Sequence, residues 1–258
     1  MNEIILDKSK FKNGIYFLSE TDSSFESIYI AIRENEKRVY SDKEVRLLPN
    51  TSSKNPHKEE WKMRKRLLQR FTNYMQKYSN KLNVLEIGSG NGWFSANIAK
   101  RSKVDIYALD INKFELEQAA RVFNFKNIYF VYGNIFDNIF TKHSFDIITL
   151  NSSIQYFDDL NKLVKRLFYF LSDEGEIHIL DSPIYKQDEL ASAKERTVRY
   201  YISIDFPDMT EYYYHHAFDE LNEFNYKILY DPKSVQNNIK KILGFKESPF
   251  LWIKIVKR

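Results

Sequence analysis

The chain has 258 residues, with 39 lysines and arginines against 35 aspartates and glutamates, and no cysteine. The length suffices for one large domain with a full hydrophobic core, and the absence of cysteine excludes disulfides, thiolate metal sites and cysteine nucleophiles. A net charge of +4 from interleaved acids and bases does not favour nucleic acid as a partner, since a dedicated binder gathers its cations on one face.

Residues 1–55 are predicted to form an N-terminal extension, either an arm or a small antiparallel unit. The runs FESIYIAIR (25–33) and KRVYSDKEVRLLP (37–49) look like its strands, and neither suggests any chemistry. The polar stretch PNTSSKNP (49–56) is typical of a linker. We therefore place a domain boundary near residue 55.

A helix is predicted from Lys58 onward, because apolar side chains recur there at helical spacing. Glu59 and Glu60 would lie in its first turn, where the positive end of the helix dipole favours acids. Its basic run WKMRKRLLQR (61–70) is typical of a solvated helix face, and a docking surface is the alternative.

Strands and helices alternate regularly through the middle of the chain. Apolar runs that indicate strands cover residues 83–87, 104–110, 127–133, 145–151 and 175–181. Amphipathic runs such as KFELEQAARVFN and DLNKLVKRLFYFL indicate helices between them. This alternation predicts an α/β fold, with a doubly wound, mostly parallel sheet and helices on both faces.

The pattern changes after Asp181. A helical, tyrosine-rich segment (185–224) is predicted as a lid or substrate insertion, and two strand-like runs follow at 225–232 and 249–258. Too little chain separates these runs for a crossover helix and its turns, so we expect them to pair as antiparallel neighbours at one sheet edge. Residues 56–258 would then form the main domain.

Three of the seven glycines, Gly88, Gly90 and Gly92, fall within five residues between the first strand of this series and its helix. There they supply a tight turn, close backbone approach to a ligand and free N–H groups at a helix start. A dinucleotide fingerprint requires glycine where Trp93 stands. Glu86 would repel a pyrophosphate and attract an ammonium group, so the turn favours a different cofactor.

At these residues the sequence resembles the class I S-adenosylmethionine-dependent methyltransferases, whose first motif is an acidic residue followed by Gly-x-Gly-x-Gly. The resemblance covers about residues 60–182 and implies a Rossmann-like sheet with S-adenosylmethionine as cofactor. It implies that Asp110 binds the two ribose hydroxyls and that GNIFD (133–137) brackets the adenine, with Asn134 in place of the more usual Asp. The implied cofactor residues are Glu86, Gly88, Ser89, Gly90, Gly92, Asp110, Ile111, Asn134, Ile135 and Asn151.

Candidate catalytic residues follow from where the strands end. Methyl transfer is an in-line displacement that depends mainly on alignment, and a base is needed only if the acceptor must lose a proton. Tyr156 follows the fourth strand of the series, and His215 and His216 lie in the segment 185–224. Either histidine is a candidate general base, since imidazole titrates near neutral pH, and helix surface or packing is the alternative. The five histidines show no metal-ligand spacing, so we expect no metal.

The leading hypothesis is a methyltransferase acting on a small molecule. One alternative is an RNA or protein methyltransferase that docks through residues 61–70, and another is a non-catalytic protein that keeps the pocket for binding or assembly. A nicotinamide-dependent dehydrogenase is disfavoured by Trp93 and Glu86. No apolar run is long enough to cross a bilayer, so we expect a cytoplasmic protein without a membrane partner.

Overall fold

A computed structural model describes residues 4, 6–20, 24–235, 237 and 247–257. The strands are β1 (Phe11–Lys12), β2 (Ile15–Phe17), β3 (Leu82–Ile87), β4 (Val104–Asp110), β5 (Ile128–Tyr132), β6 (Phe145–Asn151), β7 (Leu171–Leu180), β8 (Asn225–Tyr230) and β9 (Trp252–Val256). The α-helices are α1 (Ser24–Asn35), α2 (Asp42–Leu47), α3 (Lys58–Met75), α4 (Trp93–Ala99), α5 (Lys113–Val122), α6 (Leu160–Phe170) and α7 (Leu190–Ser203).

The described strands form one sheet in the order β1-β2-β5-β4-β3-β6-β7-β9-β8. Neighbours from β2 to β7 run parallel, whereas β9 is antiparallel to both β7 and β8. The predicted α/β fold and its antiparallel edge are therefore confirmed. From β3 the chain adds β4 and β5 on one side and then crosses to β6 on the other. The strand order thus reverses between β3 and β6, which is where open α/β sheets bind ligands.

The sheet is covered by helices on both faces, which explains why its central strands are apolar throughout. Val84 and Leu85 are consecutive in β3, belong to different core clusters and are both fully buried. Val84 shares its cluster with Phe71 of α3 and Phe94 of α4, and Leu85 shares the other with Phe170 of α6. Near-continuous apolar runs are typical of strands buried on both faces.

The N-terminal prediction is wrong in its details. The run at 25–33 is not a strand but lies within α1, and the run at 37–49 contains α2, while the strands of this region are β1 and β2. Ile28 and Ile32 recur one helical turn apart in α1 and pack in one cluster with Met209, so tertiary burial decides for a helix. A capping box between Ser41 and Glu44 begins α2.

The predicted extension also joins the main sheet, because β2 pairs in parallel with β5. Its first three residues, residue 5 and residues 21–23 lie outside the described part of the chain. The boundary near residue 55 stays a prediction.

The segment 185–224 contains one α-helix, α7, followed by 3-10 turns at Pro207–Tyr212 and Phe218–Leu221. The 3-10 turn Pro207–Tyr212 contacts both α7 and α1. We call these three elements, α1, α7 and Pro207–Tyr212, the roof, since they carry residues that line the cavities described below. None of the helices in the described residues is long and apolar enough to cross a membrane.

Candidate active site

The turn after β3 is shaped by backbone conformations that favour glycine. Gly88 and Gly90 have φ angles of 72° and 51°, in the left-handed region where side chains are strained. A Cβ atom on Gly88 would lie 2.6 Å from the Cβ of Ser153, closer than such atoms approach. The bare backbone of this turn therefore forms part of the wall of two adjoining cavities.

The sheet-end cavity, of about 270 Å³, lies beyond the carboxyl ends of β3, β4 and β5. Its wall combines glycine backbone with three carboxyl side chains, those of Asp110, Glu115 and Asp158, and several apolar side chains. Among the predicted cofactor residues it includes Gly88, Gly90, Asp110, Ile111, Asn134 and Ile135. The structure thus brings together residues that are up to 47 positions apart in the chain, at the predicted switch point of the sheet.

Asp110 ends β4 and is fixed by two backbone donors. Its Oδ2 accepts a hydrogen bond from the Gly90 N–H at 2.6 Å, and its Oδ1 accepts one from the Asn112 N–H at 2.8 Å. Burial raises the pKa of Asp110 to about 6, although these hydrogen bonds oppose the rise. Each carboxylate oxygen keeps a further lone pair for a ligand, so the group can still accept two hydroxyls.

Asn112, which the motifs did not reveal, also lines this cavity. Its Oδ1 accepts a hydrogen bond from the Glu115 N–H at 2.9 Å, so Asn112, and not Asp110, caps α5. Its Nδ2 is buried and has no hydrogen-bond partner among the described residues. Because buried amide groups are normally paired, this donor marks a place for a polar ligand atom.

The apolar end of the cavity is formed by Ile111, Ile135 and their neighbours. Ile135 is buried, whereas Ile111 is 42% exposed, so the apolar side chain of Ile111 is accessible for contact with a ligand. The Asn134 Oδ1 accepts a hydrogen bond from the Phe136 N–H at 3.0 Å, so this side chain shapes the turn. A hydrogen bond from Asn134 to adenine stays a prediction.

A small cavity of about 80 Å³ lies on the other side of the glycine turn. Ser89 and Asn151, both predicted cofactor residues, line it together with Arg33, Arg64 and Glu115. The Ser89 hydroxyl is buried without a hydrogen-bond partner among the described residues. Burial raises the pKa of Glu115 to about 7, and the nearby Arg33 opposes the rise. The cavity therefore presents two cations and one carboxyl to a ligand.

Glu86 and Gly92 lie outside the walls of these cavities. Glu86 is only 2% exposed, and its carboxylate accepts a hydrogen bond from the Ser95 hydroxyl of α4. Burial raises the pKa of Glu86 to about 8. A Cβ on Gly92 would lie 2.9 Å from the Cβ of Ala119, so Gly92 serves helix packing. Direct cofactor contact by either residue stays a prediction.

A third cavity, the roof cavity, has a volume of about 420 Å³ and lies between α1, α3 and the segment 185–224. Tyr29 of α1 and Tyr156 after β6 line all three cavities. Their ring centroids are 5.8 Å apart and their planes are nearly perpendicular at 85°. The three cavities therefore meet at this pair of tyrosines.

Comparison with known proteins shows the family to which this chain belongs. A family model described as a methyltransferase domain matches residues 78–245. The chain belongs to the S-adenosylmethionine-dependent methyltransferases. Its cofactor is S-adenosylmethionine and it is a member of class I, as the resemblance implied.

Individual relatives of the methyltransferase share only part of its length. A malonyl-[acyl-carrier protein] O-methyltransferase from Ilyobacter polytropus is 33% identical over 37% of this chain and 36% of its own length. A ubiquinone/menaquinone biosynthesis C-methyltransferase from Rickettsia prowazekii is 29% identical over 38% of this chain and 44% of its own length. The match thus spans about two fifths of these curated relatives. The plantazolicin methyltransferase BpumL with bound S-adenosylhomocysteine has the same fold, with a TM-score of 0.51 and 18% identity. The match covers 90% of this chain and 99% of BpumL.

The residues of the methyltransferase fit its cofactor. The unpaired Asn112 amide and Ser89 hydroxyl offer hydrogen bonds at two separate points, and the bare turn at Gly88 leaves room for a close approach. Arg33 and Glu115 can neutralise the carboxylate and the ammonium of an amino-acid tail. Sequence reasoning missed Asn112, Glu115, Tyr29 and the two arginines, because no motif marks them.

The two histidines differ from the prediction. His216 is 2% exposed, and its ring nitrogens lie 3.1 Å from a Glu220 carboxylate oxygen and 3.1 Å from the Ile154 carbonyl. His215 has its Nε2 2.9 Å from the Thr197 hydroxyl. Neither residue lines any of the three cavities, so their placement favours the packing alternative over a general base. Tyr156 does lie at the site, but burial raises its pKa, so it is a neutral phenol.

We expect His216→Ala to lower the free energy of unfolding by about 1–3 kcal/mol, because the buried ring and its contacts with Glu220 and the Ile154 carbonyl are lost. His215→Ala, whose ring is half-buried, should cost less than 1 kcal/mol on the same scale. Denaturant unfolding followed by circular dichroism measures both. Both variants should bind S-adenosylhomocysteine with the affinity of the parent. A tenfold loss of affinity in either variant would mean that its histidine belongs to the cofactor site.

Proposed function

We propose that this methyltransferase transfers the methyl group of S-adenosylmethionine to a small molecule bound in the roof cavity. The observation that carries the proposal is the meeting of three cavities at Tyr29 and Tyr156. The nucleoside would occupy the sheet-end cavity, the amino-acid tail the small cavity, and the acceptor the roof cavity. When bound, the cofactor supplies an electrophilic methyl group on a sulfonium.

The chain's own residues would bind and align the two reactants. Asp110 would accept the ribose hydroxyls, and Ile111 and Ile135 would contact the adenine. Tyr29 and Tyr156 would flank the sulfonium, since aromatic faces attract cations. The roof would exclude water, since its own side chain Met209 is only 1% exposed. Residues 185–224 thus remain our candidate for the lid.

The charge pattern of α3 supports a small acceptor over RNA. The basic run of α3 does not form an unpaired stripe among the described residues. Arg64 lies 2.9 Å from Glu60, Lys62 lies 2.8 Å from Glu59, and Arg70 pairs with Glu247. Because RNA affinity depends on cations free to replace counterions, these pairs weaken the case for docking. The relatives named for malonyl, quinone and plantazolicin chemistry also support a small or tethered acceptor.

Calorimetric titration with S-adenosylhomocysteine tests the cofactor assignment, and its pH dependence tests the small cavity. Burial raises the pKa of Glu115 to about 7, so Glu115 must lose a proton before it can pair with an ammonium group. Affinity should therefore rise as the pH increases from about 6 to about 7.5, below the range near pH ~8 where the ligand's amine loses its own proton.

Glu115→Gln should remove the upper part of this rise, leaving the part below about pH 6.5 that reflects ionisation of Asp110. Glu117→Gln is the matched control, because this side chain is on the same helix and pairs with Lys113 on the surface. A pH profile that is the same in Glu115→Gln and the parent would exclude Glu115 from ammonium binding. NADH in place of S-adenosylhomocysteine should show no binding.

A further inference from the structure

The roof cavity carries an excess of positive charge. Four arginines line it, Arg33, Arg38, Arg64 and Arg196, against two glutamates, Glu36 and Glu60. Tyrosines from α1, α7 and the loops complete the wall. A cavity of this composition suits an anion with an apolar body, because guanidinium groups bind carboxylates and tyrosine rings pack against apolar surfaces.

Both glutamates in the wall of the roof cavity are ion-paired with arginines of the same wall. Arg38 donates two hydrogen bonds to Glu60, at 2.8 and 2.7 Å, and its Nε lies 3.0 Å from Glu36. Arg64 lies 2.9 Å from the same Glu60 and 3.1 Å from Asp181. Both carboxylates that face the cavity are therefore already neutralised.

Arg33 and Arg196 are matched less well. Arg33 reaches Glu36 only at 3.9 Å and also lies near Glu115, but its buried Nε has no hydrogen-bond partner among the described residues. Arg196 donates to the neutral Ser192 hydroxyl at 3.1 Å. Arg33 also borders the small cavity, and the five donors of a guanidinium suffice for the cofactor's carboxylate and for a second anion. Arg196 does not line the small cavity, so its charge stays available in the roof cavity when the cofactor is bound.

The titratable side chains in the wall of this cavity are glutamates paired with arginines and buried tyrosines, which are poor bases at neutral pH. Despite burial, hydrogen bonds from Arg38 and the charge of Arg64 hold the pKa of Glu60 at about 2. Burial raises the pKa of Tyr156 and Tyr201, so both remain protonated. An acceptor that must lose a proton during transfer therefore finds in this wall only carboxylates that are ion-paired with arginines and tyrosines that are protonated. A carboxylic acid is already ionised at pH 7 and needs none.

We propose that the acceptor is a carboxylate, held by Arg196 and Arg33 among the tyrosines of the roof cavity, and that its own oxygen receives the methyl group. The inference rests on the proposed function. The carboxylate oxygen supplies the electron pair of the new O–C bond, the S–C bond of the cofactor breaks, and that electron pair stays on sulfur. No proton moves, and the products are a methyl ester and S-adenosylhomocysteine.

Charge also explains how the product would leave. The ester is neutral, so the attraction of Arg33 and Arg196 that holds the acid is lost once the methyl group is transferred. A matched amide resembles the ester in charge and the acid in shape. Comparing the affinity of an acid with that of its amide therefore measures the preference for a carboxylate that the proposal requires.

The test uses the full chain saturated with S-adenosylhomocysteine, titrated with benzoate, 3-phenylpropanoate and octanoate and with their primary amides. The best acid should bind about tenfold more tightly than its amide, the size of one hydrogen-bonded charge contact. Arg196→Gln should lower this preference at least threefold. Arg199→Gln, on the same helix but paired with Glu195 on the surface, should leave it unchanged.

Equal binding of acids and amides, no binding of any acid, or equal effects of Arg196→Gln and Arg199→Gln would overturn the proposal. In a second measurement, the best acid is incubated with methyl-labelled S-adenosylmethionine and the product is treated with mild alkali. Release of the label as volatile methanol is expected for an ester, and an alkali-stable or absent product would contradict transfer to oxygen. Failure of S-adenosylhomocysteine to bind at the outset would instead refute the proposed function.

Discussion

Replacing Asp110 with alanine should weaken S-adenosylhomocysteine binding about 100-fold while the chain stays folded. The reason is the loss of hydrogen bonds from two ribose hydroxyls to a charged acceptor, at roughly 1.5–3 kcal/mol in all after partial compensation by water. The Gly90 N–H, which donates to Asp110 at 2.6 Å, also loses its partner, so the turn is less well ordered. Calorimetry measures the affinity, and circular dichroism with denaturant unfolding checks the fold.

Asp105→Ala is the matched control for this experiment. Asp105 lies on the same strand, and its carboxylate pairs with Lys81 at 2.6 Å, far from the glycine turn in the register of β4. This variant should bind as the parent does. Asp110→Asn keeps one acceptor oxygen, so an intermediate affinity is expected. Unchanged affinity in Asp110→Ala would remove this residue from the cofactor site.

Gly88→Ala should abolish measurable cofactor binding and lower the free energy of unfolding by about 1–3 kcal/mol. Two effects act together, because the residue has a φ angle of 72° and its new methyl group would lie 2.6 Å from the Cβ of Ser153. The loop after β6 must then move away from the turn. Since this loop carries Tyr156, the junction of the three cavities would open.

A second substitution separates backbone strain from the steric clash. Ser153→Gly removes the Cβ that the new methyl group meets, at the cost of the hydrogen bond from the Ser153 hydroxyl to the Ile87 carbonyl. The double variant should recover part of the affinity lost in Gly88→Ala. No recovery would mean that φ strain alone governs the turn, and full affinity in Gly88→Ala would contradict the close approach of the two segments.

The cofactor-binding part of the site could be predicted from sequence because its residues come directly after the ends of strands. Gly88, Asp110 and Ile135 each come within a few positions of a parallel strand, and carboxyl ends of parallel strands meet at one edge of a sheet. Local order along the chain thus fixes their proximity. Their placement at one cavity agrees with this reasoning, and their individual contacts with the cofactor remain to be measured.

The roof could not be predicted in the same way. α1 is held by contacts that are remote in sequence, such as the hydrogen bond from the Asn35 Nδ2 to the Ile204 carbonyl at 3.1 Å. Its run of aromatic and β-branched residues fits a strand as well as a short buried helix, and only the partner surface decides. The mistaken strand prediction hid the spacing of four that places Tyr29 and Arg33 on one helix face.

The paired histidines show a further limit. Residue type made His215 and His216 reasonable bases, but a base must also have a ring nitrogen that faces the reactants. Glu220, four residues later, and Ile154, far away in sequence, engage the two nitrogens of His216. Hydrogen bonds between residues that are far apart in the chain produce no periodic pattern in the sequence. Buried unpaired groups such as the Asn112 amide are hidden from sequence for the same reason.

A crystal structure with S-adenosylhomocysteine tests the central claim most directly. We expect the ribose hydroxyls within hydrogen-bond distance of Asp110, the amino-acid tail in the small cavity, and the sulfur between Tyr29 and Tyr156, facing the roof cavity. A sulfur atom that faces bulk solvent, or a nucleoside bound outside the sheet-end cavity, would contradict the arrangement of cofactor and acceptor sites described above.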